Sequence, residues 1–185
     1  MILSENASRH GHRFEQQRLG FFEAPCPQKT QSEEQLLVVQ NNLAATYRAL
    51  GRHEEAMSMR GDIYSKRLKL DGEEHPSTLS AANNYAMLLI TLRRFKEAKR
   101  LLCKVIPVAR RVLGNEHELT LSLCEDLSRA TLLDVESSAE EKRKALQTLE
   151  DTLGVMRRVL GPQHPDTQRV QDEVEVCREE FPTTA

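Results

Sequence analysis

Self-similarity at a fixed spacing is the feature that most constrains what this chain can fold into. The segment GEEHPSTL at residues 72–79 returns as GNEHELTL at 114–121, which places His75 and His117 42 residues apart. A third copy, GPQHPDT at 161–167, follows after 47 residues. A repeat of this length indicates a stacked array, because each unit can bury its apolar face only against its neighbours.

Each repeat contains two stretches in which apolar residues have helical spacing. In the first stretch, one side of the helix carries Leu36, Val39, Leu43 and Leu50. The predicted helices cover residues 33–50, 53–70, 77–92, 95–113, 118–133, 140–160 and 166–180. The third repeat is longer than the others, and its extra residues fall in the polar stretch 134–140, where a longer turn costs little closure entropy.

Composition favours helices over sheets. Aromatic residues make up 4% of the chain and there is no Trp, whereas strands are enriched in aromatic and β-branched residues. Hydrophobic residues make up 39%, which supports a packed core. The formal net charge of −2 gives no general attraction to nucleic acid or to an anionic membrane.

The sequence predicts a cytoplasmic protein with reduced thiols. The N-terminus lacks the apolar region of a secretory signal, and no uncharged stretch is apolar enough to span a bilayer. The four cysteines are widely spaced, without the patterns of a disulfide framework. Cys103 and Cys124 fall on the apolar sides of helices, which predicts core positions for both.

Several polar residues are predicted to begin helices. The repeat loops place His75, His117 and His164 just before a helix, and we assign them a structural role there because they lie too far apart to share one zinc ion. Ser32 and Ser138 each have Gln or Glu three residues later, which is the spacing of a capping box. The sequence therefore predicts no metal site and no cofactor.

The repeat units resemble a known family. The relevant segments are Asn-Asn-Leu-Ala at 41–44, Leu-Gly-Arg at 50–52, Glu-Glu-Ala at 54–56 and Gly-Glu-Glu-His-Pro at 72–76. They are similar to the 42-residue tetratricopeptide repeat (TPR) of kinesin light chains and nephrocystin-like proteins, and the resemblance covers about residues 36–180. It implies an all-α, right-handed superhelical TPR solenoid of three helix pairs plus a capping helix.

The chain is predicted to have three parts. Residues 1–31 fit no repeat and form an N-terminal arm that is partly disordered, residues 32–180 form the repeat domain, and residues 181–185 form a tail. The apolar residues of the arm are Phe14, Leu19, Phe21 and Phe22. They either dock on the first repeat or belong to a disordered segment, and the sequence leaves both alternatives open.

The chain departs from the family pattern at several positions. Arg93 replaces the turn glycine of the second repeat, and Arg60 occupies an apolar position of a second helix. The heptad coiled coil through which kinesin light chains bind the motor heavy chain has no counterpart, so motor binding is not carried over. The basic clamp of chaperone-binding TPR proteins is also missing. Its matching positions lack Lys and Arg and include Asn84 and Asp126.

The resemblance implies a binding surface on the first helix of each repeat, because these helices line the concave face of the superhelix. Asn side chains both donate and accept hydrogen bonds, so they can hold the backbone of a peptide. The predicted function is a non-catalytic adaptor that binds a peptide segment of a partner protein. The predicted contact residues are Asn41, Arg48, Asn83, Asn84, Met87, Glu125 and Arg129.

Two other functions stay open as alternatives. RNA binding would use basic pairs such as Arg110 and Arg111, but these alternate with Glu and lack the aromatic residues that stack on bases, so no nucleic acid is expected. A self-associating scaffold fragment would use the exposed ends of the array. The chain has no GxSxG, HExxH or glycine-rich phosphate loop, so no enzyme activity is expected.

Overall fold

The computed structural model describes residues 27–180, which fold into seven α-helices joined by short turns. The helices are α1 (Pro27–Ala49), α2 (His53–Leu70), α3 (Pro76–Thr91), α4 (Phe95–Leu113), α5 (Glu118–Leu133), α6 (Ala139–Val159) and α7 (Pro165–Glu180). Each helix packs against the next one in sequence, and α3 also packs against α5. The predicted all-α solenoid of three helix pairs and one further helix is confirmed.

Helix α1 begins earlier than the sequence indicated. It starts at Pro27, so the predicted capping box at Ser32 lies inside the helix and that prediction is wrong. Proline suits the first helical position because its missing N–H is not needed there, and no helix breaker follows it before Ser32. The proposed arm and tail otherwise lie outside the described residues, and the boundaries given for them stay predictions.

The repeated histidines begin helices as predicted. The Nδ1 atom of His75 accepts a hydrogen bond from the Ser77 backbone N–H at 3.2 Å. His117 makes the same bond to Leu119 at 3.1 Å, and His164 makes it to Asp166 at 3.3 Å. Each imidazole therefore satisfies a backbone donor that the first turn of a helix leaves unpaired.

The capping box at the start of α6 is confirmed. The Ser138 hydroxyl accepts from the Glu141 backbone N–H at 3.2 Å, and the Glu141 carboxylate accepts from the Ser138 backbone N–H at 2.7 Å. The longer turn of the third repeat ends here, since α5 stops at Leu133 and α6 begins at Ala139.

The turns within the first two helix pairs have the same backbone conformation but different residues. Gly51 has a φ of 74°, and Arg93 has a φ of 58° at the equivalent position one repeat later. Positive φ brings Cβ of an L residue too close to the following carbonyl, whereas glycine adopts it freely. The backbone of Arg93 is therefore strained, and a glycine at this position would remove the strain.

Arg93→Gly is expected to raise the free energy of unfolding by about 0.5–1 kcal/mol, because the strain at positive φ is removed. Urea denaturation followed by circular dichroism measures the change. Gly51→Ala is the matched control and should lower stability by a similar amount, since open space surrounds the added Cβ and only the backbone is strained. An unchanged midpoint for Arg93→Gly would contradict the expectation.

The core runs through all three repeats. Leu88, Leu102 and Leu123 of α3, α4 and α5 are completely buried in one cluster. A second cluster around Leu149 of α6 and Val170 of α7 continues the core toward the last helix. Aliphatic side chains from successive helices thus form a series of core clusters along the array, as expected for stacked repeats.

The two cysteines predicted to lie in the core have different environments. Cys124 is buried as predicted, but Cys103 is exposed, so the prediction for Cys103 is wrong. Helix α4 directs Leu102 and Ile106 into the core. Because successive residues of a helix point about 100° apart, Cys103 falls outside that buried stripe.

Candidate protein-binding groove

Two clefts lie along the first helices of the repeats. The α1–α3 cleft has a volume of about 380 Å³ and is lined by Leu37, Val38, Asn41, Ile63, Arg67, Pro76, Ser77, Ser80, Ala81 and Asn84. The α3–α5 cleft has a volume of about 300 Å³ and is lined by Met87, Ile90, Thr91, Arg93, Phe95, Asp126, Arg129 and Leu133. Both combine apolar walls with a few polar groups, which is the usual character of a binding site.

The clefts bring several of the predicted contact residues together. Asn41 and Asn84 share the α1–α3 cleft, and Met87 and Arg129 share the α3–α5 cleft. Arg48 is exposed and its Nη1 atom lies 3.8 Å from the Met87 sulfur. Arg48 of α1 therefore contacts a lining residue of the α3–α5 cleft, although it lines neither cleft itself.

Asn41 is partly engaged by a buried arginine of α2. Its Oδ1 atom accepts a hydrogen bond from Arg60 Nη1 at 3.1 Å. Arg60 is 5% exposed and occupies the position that Leu102 and Leu149 fill in the next two repeats. Burial lowers the pKa of Arg60, and the nearby positive charge of Arg48 lowers that pKa further. Asn41 thus keeps its amide N–H groups for a partner, while Arg60 occupies part of the accepting capacity of its oxygen.

Asn83 forms a contact between helices. Its Nδ2 atom donates to the Ser122 hydroxyl at 3.3 Å, which joins α3 to α5. Neither cleft includes Asn83 among its lining residues. The side chain therefore stabilises the packing of two first helices where the sequence predicted a contact for a peptide.

Glu125 and Arg129 belong to a network of ion pairs that joins α5 to α7. Glu125 is 2% exposed and accepts hydrogen bonds from Arg129 and Arg169. Arg129 also donates to Asp126 at 3.2 Å and to Glu173 at 2.9 Å. We call these five residues the α5–α7 network. Glu125 lies beneath the two guanidinium groups, so the structure places it away from the surface where it was predicted.

The network contains more carboxylates than guanidinium groups, and this affects Asp126. Burial raises the pKa of Asp126 to about 7, and the neighbouring charge of Glu125 adds to the rise. Arg129 acts in the opposite direction and limits the rise. Asp126 therefore titrates near neutral pH while lining the α3–α5 cleft.

The sequence prediction missed Asp126, Phe95 and Arg67 as cleft residues. Asp126 lies one repeat after Asn84, so the 42-residue period contained a signal for it. Phe95 and Arg67 come from the second helices α4 and α2, and the prediction considered only first helices. The clefts are thus wider than the row of first helices that the repeat pattern indicated.

The repeats are matched by models of a known family. Two models of the tetratricopeptide repeat match residues 35–111 and residues 135–166, which together make up more than half of the chain. This chain is a tetratricopeptide repeat protein. No curated protein sequence is significantly similar to this TPR protein.

Solved structures with the same fold include proteins related to kinesin light chains. A Podosopora anserina protein, described as a kinesin light chain with nearly identical TPR-like repeats, has a TM-score of 0.68 and 25% identity. The match covers 77% of this TPR protein and 65% of that chain, so the sequence spans about two thirds of the neighbour's length. BtubC (BKLC) from P. vanneervenii, at 19% identity, has a TM-score of 0.51 over 81% of this chain and 66% of its own.

The TPR fold is a repeat scaffold without catalytic function, and TPR repeats are generally protein–protein interaction modules. Within residues 27–180, no helix combines the length and apolar character needed to cross a membrane. The matched TPR repeats agree with the repeat pattern of the sequence.

Proposed function

We propose that this TPR protein is a non-catalytic adaptor that binds a peptide segment of a partner protein in the α1–α3 and α3–α5 clefts. The observation that supports the proposal best is that α3 lines both clefts, with Asn84 in the α1–α3 cleft and Met87 in the α3–α5 cleft. An extended peptide needs a groove longer than one repeat, and neighbouring repeats supply it.

The side chains of the groove suit a peptide backbone with some apolar side chains. Asn84 lines the α1–α3 cleft and carries both a donor and an acceptor for peptide N–H and C=O groups. Met87 has an unbranched thioether side chain that adapts to different apolar shapes. We infer that Arg48, Asn84 and Met87 make the main contacts, with Asn41 contributing through its amide N–H groups.

Arg129 and Glu125 have a different role in this proposal. Their charges are already paired within the α5–α7 network, so they shape the end of the groove and are not the first groups to meet a peptide. A test of the groove should therefore leave Arg129 and Glu125 unchanged. A variant in which Arg129 is substituted would disturb the docking of α7 as well as the groove.

The test compares the wild type with an Arg48→Ala, Asn84→Ala, Met87→Ala variant in affinity capture from cell extract. A protein captured by the wild type is then purified and titrated against both forms. Loss of three contacts should raise Kd at least about tenfold, since a single good contact is worth on the order of 1 kcal/mol. Equal Kd values for the two forms would show that the groove does not bind the partner.

A matched control uses the end of a second helix. Arg111→Ala, Val112→Ala and Asn115→Ala remove the same kinds of side chain from exposed positions of α4 and the turn after it. This control should bind as the wild type does. Circular dichroism of all three proteins verifies that each of them is folded.

Nucleic acid is an alternative that the contacts do not favour. Arg94, Arg111 and Arg158 each form an ion pair with a Glu side chain, so their charges are partly compensated. Retention of labelled RNA on a filter at low salt would support the alternative. A cytoplasmic location is also part of the proposal, and the absence of a disulfide pattern in the sequence supports it.

A further inference from the structure

Helix α1 has an outer face that no other described helix covers. The face is formed by Leu36, Val39, Leu43 and Leu50, whose exposed fractions are 51%, 62%, 41% and 67%. The side of α1 that packs against α2 is marked instead by the buried residues Leu37 and Ala44. The apolar side chains that the sequence pattern placed on one side of this helix therefore lie mostly in contact with solvent.

The repeat register shows what kind of element covers this face elsewhere. Thr78 and Ala81 of α3 occupy the positions of Leu36 and Val39 one repeat later, and both are buried where α2 packs against α3. Two repeats later, Leu123 of α5 occupies the position of Val39 and is completely buried. The outer face of α1 is thus the site that a preceding second helix fills in the other repeats.

The opposite end of the described array is different. Leu37, Leu79 and Leu121 pack the first helices against their own second helices, and the equivalent residue of α7 is Gln168, which is exposed. Glu175 of α7 is likewise exposed where the earlier first helices carry a buried small residue. The α7 end is polar and matches poorly with the apolar face of α1, so stacking of one copy on the next is disfavoured.

We propose that residues 14–22 of this chain cover the outer face of α1. Four residues join this segment to α1, and it contains Phe14, Leu19, Phe21 and Phe22. A short connection gives the segment an effective concentration in the millimolar range, which favours it over a second copy of the chain at ordinary protein concentrations. The proposal does not depend on the groove that binds a partner.

The distances allow this contact. Phe14 precedes Pro27 by 13 residues, and an extended chain of that length reaches about 40 Å. Leu50, at the far end of the outer face, lies about 35 Å along the axis of α1 from Pro27. The segment therefore reaches the whole face without any change in the helix.

A cavity beside the outer face provides a place for an aromatic ring. It has a volume of about 290 Å³ and is lined by Glu33, Leu36, Leu37, Lys66, Lys69 and Leu70. Its walls come mainly from aliphatic side chains and the methylene groups of two lysines, and both surfaces pack well against a phenyl ring. Phenylalanine is the side chain that the 14–22 segment offers in greatest number.

The test uses two substitutions at neighbouring residues of α1 in the full chain. Val39→Asp places a carboxylate on the outer face and should release the segment, because the apolar contact would bury an unpaired charge. Val38→Asp is the control, since Val38 is 55% exposed but lines the α1–α3 cleft. Both positions are exposed, so both variants are expected to fold.

The measurement is limited trypsin cleavage after Arg13 and Arg18, followed by mass spectrometry, together with sedimentation of each protein. Release of the segment should make cleavage at least about tenfold faster in Val39→Asp only, with all proteins monomeric. Equal cleavage rates in all three proteins would overturn the proposal. A wild-type dimer that Val39→Asp converts to monomers would also overturn it and would assign the face to a second copy.

Discussion

Arg129→Ala is expected to lower the free energy of unfolding by about 3 kcal/mol or more, because it leaves buried carboxylates without their main cation. Arg129 donates to Glu125, Asp126 and Glu173, and Glu125 and Asp126 have almost no contact with solvent. Arg169 remains beside Glu125, but Asp126 loses its ion pair with Arg129 and keeps only the more distant charge of Arg169. The α5–α7 network should therefore open, and α7 should detach first.

Urea denaturation at pH 7.5 measures this loss. Arg178→Ala is the control, because Arg178 joins α7 to Glu150 of α6 through an exposed ion pair that is worth about 1 kcal/mol at most. A loss for Arg129→Ala no larger than that of Arg178→Ala would show that the network contributes little to stability.

The preceding repeat provides a replacement for the network. Asn83, Asn84 and Met87 occupy the positions of Glu125, Asp126 and Arg129 one repeat earlier. The combined variant Glu125→Asn, Asp126→Asn, Arg129→Met removes the buried charges together with their cation. It should recover most of the stability that Arg129→Ala loses, since replacing a buried ion pair by neutral groups is often close to neutral in free energy.

Asp126→Asn is expected to stabilise the protein above pH 7 by about 2–4 kcal/mol and to change its stability little near pH 4. The pKa of Asp126 is raised to about 7 by burial, so the folded state binds this proton more tightly than the unfolded state does. Stability from this group is therefore complete below about pH 4 and is lost as the pH rises to about 7. Asparagine carries no charge, so the variant avoids this loss.

The measurement is the difference in unfolding free energy between wild type and Asp126→Asn from pH 4 to pH 8.5. The difference should grow with pH and level off above about pH 7.5. Asp134→Asn should change stability in the opposite direction, because a hydrogen bond from Lys99 lowers the pKa of Asp134. A difference for Asp126→Asn that stays constant across this range would show that Asp126 is ionised in the same way in both states.

The architecture could be predicted from the sequence because it depends on spacing. The 42-residue period fixed the pairing of the helices, and the histidine at the start of α3, α5 and α7 marked where each first helix begins. Periodicity and capping are local properties, so they can be recognised in the sequence without knowing which helices pack against each other.

The details of the groove depend on contacts between helices and were harder to predict. Glu125 looked like a surface residue because a carboxylate is seldom buried, and its burial is compensated by Arg129 together with Arg169 from α7. Asn41 and Asn83 were correctly placed on first helices, but Arg60 and Ser122 hold them from neighbouring elements. A sequence shows which side chains are near each other within a repeat, but not which of them already have a partner.

Because the surface of α7 is polar, further repeats can be added to this array at one end only. A helix pair fused after Glu180 would bury Glu175 and Gln168 against aliphatic side chains, and an unpaired carboxylate in such an interface is strongly unfavourable. A duplicated pair that replaces residues 14–22 ahead of α1 would instead meet leucine and valine side chains that suit it. Engineers who wish to lengthen the groove should therefore add repeats only on the α1 side, with α7 kept as the permanent end of the extended protein.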